Sequence, residues 1–234
     1  MTSRIPDARP GGGTPDTPES GMPVVPADIP GTGVSCVPGT VLDASPGDRA
    51  RAAADALGDA ELARWCGDLL TGRTPYGSAV EPDVGWLAGR VGQTWGSPAR
   101  LVGSGHDYWV RTWAARTLLY VWDDRCSTDL VAGLSDPAWR VREMCAKVAA
   151  RWEVGEAADV AAALLEDETP RVRVAALRVL AVVGEHEHLE AIEHLEHLEP
   201  GEDRALVAGD GELSVRSAAR RAQVALRRRL DLET

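Results

Sequence analysis

Eight tryptophans lie between Trp65 and Trp152, and four of them, Trp109, Trp113, Trp122 and Trp139, surround the acidic pair Asp123-Asp124 in sequence. Aromatic faces beside a carboxylate attract cations, so this grouping could cage a positively charged group. A second candidate is the tract Glu185-His-Glu-His-Leu-Glu-Ala-Ile-Glu-His-Leu-Glu-His-Leu-Glu199, where His194 and His197 stand three apart and Glu190 and Glu193 lie one turn before them. A metal would need those side chains to converge with a supporting shell. Leu189, Ile192, Leu195 and Leu198 supply a buried stripe that leaves the His and Glu residues as solvated flanks, so no metal is expected. The four cysteines, Cys36, Cys66, Cys126 and Cys145, contain no Cys-x-x-Cys pair and signal neither zinc nor redox chemistry. No Gly-x-Ser-x-Gly, no phosphate-binding glycine loop and no His-Glu-x-x-His occurs. His106, the one histidine outside the acidic tract, has nothing beside it that suggests a base. No catalytic residue and no cofactor are expected.

A third candidate is a basic column. Val-Arg occurs four times, at Val110-Arg111, Val141-Arg142, Val172-Arg173 and Val215-Arg216. The first two intervals are 31 residues, and the last is 43, one period plus an insertion of 12. In this register Arg116, Lys147, Arg178 and Arg221 align, and Trp109 aligns with Arg140 and Arg171. Seven residues separate Arg140 from Lys147 and Arg171 from Arg178, so each pair shares a helical face. These residues, with Trp139, are the expected partner-binding set, and Trp109 is expected to be exposed.

The elements that position them follow from the same alignment. Val110, Val141, Val172 and Val215 form one column, and Ala114, Cys145, Ala176 and Ala219 a second. Thr117, Val148, Val179 and Ala222 form a third, and Val121, Trp152, Val183 and Leu226 a fourth. Spacings of i, i+4, i+7 and i+11 mark the buried stripe of an amphipathic helix, so Trp113 and Trp152 are expected to pack. Shorter helices are expected at 127–134, 157–165 and 188–198. Asp136-Pro137 and Thr169-Pro170 place a capping side chain before a proline at helix starts, and Gly155 and Gly184 are expected to end long helices. A unit of long helix, turn and short helix cannot bury its apolar face alone, so units must stack into an all-α solenoid.

The segment Asp136-Pro-Ala-Trp-Arg-Val-Arg-Glu-Met-Cys-Ala-Lys-Val-Ala-Ala150 resembles the first helix of short bacterial HEAT repeats, and Asp167-Glu-Thr-Pro-Arg-Val-Arg-Val-Ala-Ala-Leu-Arg-Val-Leu-Ala181 resembles it more closely. The resemblance covers about 106–230. It implies a HEAT-like superhelix in which Arg111, Arg142, Arg173 and Arg216 form a ladder with acidic residues of neighbouring repeats. It also implies that the second helices line the concave side. HEAT-like folds serve as scaffolds, as bilin lyases and as DNA glycosylases that hold an alkylated base between tryptophans and an aspartate, so fold does not fix activity. The glycosylase reading requires Trp109, Trp122 and Asp124 to converge in one cleft.

The chain of 234 residues carries 24 arginines, one lysine (Lys147) and a formal net charge of −11, which at face value argues against nucleic acid and anionic membranes. The charge is not evenly spread. The long helices sum to +12 and the segments between them to −16. Residues 1–46 hold nine of the 15 prolines and seven of the 24 glycines and no aromatic residue, the composition of a disordered arm. Residues 47–105 are expected to form an irregular helical cap, with helices at 52–57, 59–70 and 82–91, and 106–230 the repeats. No apolar run reaches the roughly 20 residues that span a bilayer, and the first ten residues have no apolar core of a secretory signal, so a cytoplasmic protein with no membrane partner is expected. The reading is a non-catalytic scaffold engaging a protein partner through charge-segregated helical faces, with nucleic acid a possible partner of the basic face. The other reading is a HEAT-like enzyme, a DNA glycosylase acting on alkylated bases or a lyase.

Overall fold

The computed structural model describes residues 37–74, 82–95, 101, 104–197, 204–207 and 211–232. The fold is helical, with one short hairpin. The helices in chain order are α1 (Gly39–Leu42), α2 (Pro46–Leu57), α3 (Asp59–Thr71), α4 (Gly85–Ala88) and α5 (Arg90–Trp95), then α6 (Tyr108–Leu118), α7 (Ser127–Gly133), α8 (Trp139–Trp152), α9 (Ala158–Ala163), α10 (Pro170–Val183), α11 (Leu189–His194) and α12 (Val215–Arg229). Short 3-10 turns flank α7, α9 and α11. Strands β1 (Arg204–Val207) and β2 (Gly211–Ser214) pair antiparallel inside the 12-residue insertion, an element that the helical period does not foretell.

The aligned columns form the core. Val110, Val141, Val172 and Val215 are all buried, as are Ala114, Cys145, Ala176 and Ala219, and Thr117, Val148, Val179 and Ala222. The fourth column is looser: Val121 and Leu226 are buried, but Trp152 is 37% exposed, its indole N–H donating to the Leu118 carbonyl at 2.8 Å. Trp152 therefore closes a helix end instead of filling the core. Trp113 is buried as expected.

Each short helix packs on the long helix that follows it: α7 on α8, α9 on α10, α11 on α12. The structural hairpin therefore runs short then long, and the Val-Arg helix is its second helix, not its first. Successive long helices also pack directly on one another, α6 on α8, α8 on α10 and α10 on α12, with no contact of that extent between successive short helices. The long, basic helices are thus the closely packed row, with the acidic segments on the short-helix side.

The Val-Arg arginines brace the stack. Arg111 donates to the Asp136 carboxylate at 2.6 and 3.3 Å, and Arg142 to the Asp167 carboxylate at 2.7 Å, each 25 residues ahead. Arg142 also donates to the carbonyls of Asp136 and Pro137, and Arg173 to that of Asp167 at 2.8 Å. The same carboxylates accept backbone N–H bonds two residues on, from Ala138 and Thr169, both at 2.8 Å. Helix α8 accordingly starts after Ala138, and Thr169 caps α10 without a side-chain bond. The capping expected of Asp136 and Thr169 is done by Asp136 and Asp167 from further upstream. The insertion displaces the fourth rung, where Arg216 donates to the Glu196 carbonyl at 3.1 Å. At the far end of α8, Glu153 takes the left-handed conformation (φ 52°) that Gly155 was expected to supply. Gly184 does end α10 with ordinary φ, and a Cβ there would sit 2.4 Å from the Leu180 carbonyl oxygen.

The cap covers the open side of α6. Helix α2 begins at Pro46, earlier than the expected 52, because Ser45 accepts the Asp48 N–H and Pro46 fits the first helical position. The expected 82–91 helix is split into α4 and α5 at Gly89, φ 69°. Within the expected arm, residues 1–36 lie outside the described residues, while Val37 and Leu42 are buried and α1 is helical; the arm's last residues belong to the cap. Helix α3 packs on α6 and α7, locked by Arg73, which bridges Asp68 at 2.8 Å and Asp129 at 2.5 Å. Both carboxylates are buried, and Gly67 admits one of them: a Cβ would stand 2.4 Å from an Asp129 carboxylate oxygen. No helix among the described residues is long and apolar enough to cross a membrane.

The brace predicts a sharp contrast in stability. Asp167→Ala leaves the largely buried Arg142 guanidinium without its carboxylate and should cost about 3 kcal/mol. Arg125→Ala removes an ion pair whose arginine is 77% exposed and should change stability by less than about 1 kcal/mol. Urea denaturation of both variants measures the difference. The core makes a second prediction. Cys66, Cys126 and Cys145 are buried, and burial pushes the Cys126 thiol up to about 11 and the other two higher still. In a Cys36→Ser protein at neutral pH, Ellman's reagent should label none of them until the chain is unfolded.

Candidate binding surface

At the first turn of the long helices the aligned residues Trp109, Arg140 and Arg171 meet Trp139 in one row. The Arg140 guanidinium lies 4.3 Å from the Trp139 ring centre and 5.4 Å from that of Trp109, and the Arg171 guanidinium 5.7 Å from Trp139. Each cation is held over an aromatic face, which fixes long side chains that would otherwise sample many rotamers. The row is anchored behind Trp109, whose ring stacks on buried Trp113 at 6.2 Å and meets Tyr108 at 5.3 Å. Trp109 is half-buried as a result, not exposed.

One turn further along α8, Glu143 is buried to 6% exposure between two cations. It accepts from Lys147 at 2.9 Å and from Arg171 at 3.3 Å, linking the two basic columns across the α8–α10 seam. Its column otherwise holds Thr112, Val174 and Ser217; a lone acid in a column of small residues was the available signal for it. Arg178 on α10 and Arg221 on α12 extend the basic column and are exposed, Arg221 beside Val224, Ala225, Arg228 and Arg229.

Arg116 does not belong to this surface. The cap helices α2 and α4 pack on α6 and enclose it, and its nearest hydrogen-bond acceptor is the Leu87 carbonyl at 3.5 Å. Burial pushes it down to about 10, aided by the charge of Arg49. The structure therefore brings together Trp109, Trp139, Arg140, Arg171 and Lys147, continues the column to Arg178 and Arg221, and withdraws Arg116.

Two other tryptophans form a separate cluster at the opposite helix ends. Trp122 and Trp152 stack at 6.2 Å, the Arg151 guanidinium lies 5.4 Å from Trp152, and the Trp122 N–H donates to Asp124 at 2.8 Å. Asp123 is engaged by Arg125, whose side chain and backbone N–H hold its carboxyl down at about 2. Trp109 sits in the first turn of α6 and Trp122 beyond its last, about 20 Å apart at 1.5 Å per residue. Trp109, Trp122 and Asp124 do not converge.

Among the described residues Asp159, Glu187 and His188 could group around a cation. His188 is buried and its Nδ1 accepts the Glu185 backbone N–H at 2.8 Å, closing a capping box at the turn before α11. A histidine binding metal through Nε2 carries its proton on Nδ1, where this backbone donor already points, so the geometry serves the turn. His194, Glu190 and Glu193 are exposed, and the side chain of His197 lies outside the described residues.

No characterised protein sequence and no solved structure shows a significant match to the chain. A family model, HEAT repeats, matches residues 127–222. Those bounds begin at a short helix and close within a long one, the phase in which the helices pack here. That stretch of three short–long hairpins is what the chain shares with HEAT repeats.

Proposed function

We propose that the protein is a non-catalytic scaffold that holds an acidic segment of a protein partner along its row of long helices. HEAT repeats are generally protein-interaction scaffolds. The observation that carries the finer reading is Arg140 held over the rings of Trp109 and Trp139, with Arg171 also over Trp139 at 5.7 Å. Guanidinium groups stacked on rings are already held in one orientation, which lowers the entropy lost when they meet a carboxylate. Lys147, Arg178 and Arg221 continue the positive potential toward α12, while the acidic segments lie on the short-helix side and disfavour a second anionic partner there. The enzyme reading draws no support from the separated Trp109 and Trp122–Asp124 groups. Nucleic acid is the competing occupant of the same row.

A fluorescent polyglutamate peptide and a DNA duplex, titrated in parallel at several salt concentrations, test the proposal. The peptide should bind with an affinity that falls as salt rises, and Arg140→Ala/Arg171→Ala should weaken it tenfold or more, roughly the loss of one charge-assisted contact. Equal binding by wild type and the double variant would refute the proposed row. Tighter binding of DNA than of peptide, with a steep salt dependence, would assign the row to nucleic acid.

A further inference from the structure

The seam between cap and repeats holds two arginines that meet no carboxylate among the described residues. Arg49 on α2 is 92% buried by its 8% exposure, and its Nε has no hydrogen-bond partner. One guanidinium N–H of Arg49 donates to the Ala44 carbonyl, and Arg116 from α6 reaches only the Leu87 carbonyl at 3.5 Å. The carboxylates nearest to Arg49 in the chain are engaged elsewhere, Asp43 by Arg90 and Asp48 by Arg51. Burial lowers both Arg49 and Arg116, and the charge of Arg49 lowers Arg116 further. Buried polar groups are ordinarily paired and buried charges more strictly so, and like charges placed together cost stability that a fold tolerates at a functional site.

The surroundings are shaped to hold these groups. Gly89 brings its backbone against Arg49, where a Cβ would lie 2.8 Å from the Nη1 and 2.6 Å from the Leu42 carbonyl oxygen. Tyr120, just after α6, rests its ring on Gly47 in the first turn of α2, where a Cβ would lie 2.9 Å from the ring edge. Tyr120 is 42% exposed and Arg116 partly so, so the seam opens to solvent on their side. We infer that Arg49, Arg116 and Tyr120 form a binding site for a phosphate group, taken up at the joint between the cap and the first repeat. Two guanidinium forks and a hydroxyl offer donors from separate elements, which suits a tetrahedral anion with several acceptor oxygens. Such a ligand would neutralise the arginine pair and tie α2 to α6. It is separate from the acidic-segment row, whose cations lie on α8, α10 and α12.

Thermal denaturation of the full chain tests this, with phosphate, phenyl phosphate and acetate compared against chloride at equal ionic strength. Phosphate should raise the midpoint by roughly 2–4 °C, and acetate should not. A larger shift with phenyl phosphate would mark a phosphate carried on an organic ligand, and a smaller one the free anion. Arg116→Met should abolish the phosphate shift and leave the anion-free midpoint equal or higher, since an unpaired buried charge is replaced by an apolar side chain. Tyr120→Phe, which removes only a partly exposed hydroxyl, should fold as wild type and reduce the shift. No difference between phosphate and chloride in the wild type would overturn the site. So would an Arg116→Met protein of lower midpoint that keeps the full phosphate shift.

Discussion

The buried arginine–aspartate brace is the constraint on which the rest of this structure depends. Arg142 joins two repeats at once, accepted by the Asp136 and Pro137 carbonyls behind it and the Asp167 carboxylate ahead. Asp167 in turn takes the Thr169 N–H at the start of α10. A buried ion pair stabilises only when its remaining hydrogen-bonding capacity is met, and here the helix start meets it. The geometry therefore fixes two things together: where each long helix begins, and how far it sits from the one before. Once the helix starts are aligned, residues at equal positions in successive repeats must lie side by side. Trp109, Arg140 and Arg171 form a row for that reason, and so do the basic positions seven residues later.

The periodic part of this arrangement was legible in the residues. The Val-Arg spacing identifies the long helices, the small-residue columns identify their buried face, and the arginine ladder follows from the HEAT resemblance. What the spacing could not show was phase. A repeat of long and short helices reads equally well in either order, and only packing reveals that α7 belongs to α8 and α9 to α10. The Val-Arg helix is therefore the second of its hairpin, and the side that the resemblance assigns to second helices is the basic one. Non-periodic contacts were equally invisible. Arg116 sits in the same column as Lys147 but is enclosed because the cap, which has no counterpart in later repeats, packs across α6. Trp152 shares a column with Val121 and Leu226 but is too large for the end of the helix and turns outward. Glu143 stood out only as an acid among small residues.

Charge segregation gains a physical meaning from the packing. The long helices are in mutual contact, so their positive charges are concentrated where the row is tightest. That concentration is offset locally by Glu143, by stacking on tryptophan, and by the acidic segments at longer range. The chain as a whole is acidic, with a formal net charge of −11, while its long helices are net positive. The cap repeats the theme in a different form, with buried Arg49 near half-buried Arg116 and no carboxylate beside them among the described residues. The molecule thus places arginine on aromatic faces along the repeats and arginine against arginine at the joint.

The central claim is that the brace couples adjacent repeats energetically and so sets their register. A double-mutant cycle on Arg142→Met and Asp167→Ala, read from urea denaturation, measures that coupling directly. The account predicts a coupling of about 2 kcal/mol, with the double variant far more stable than the sum of the single losses implies. Additive losses, agreeing within about 0.5 kcal/mol, would contradict it.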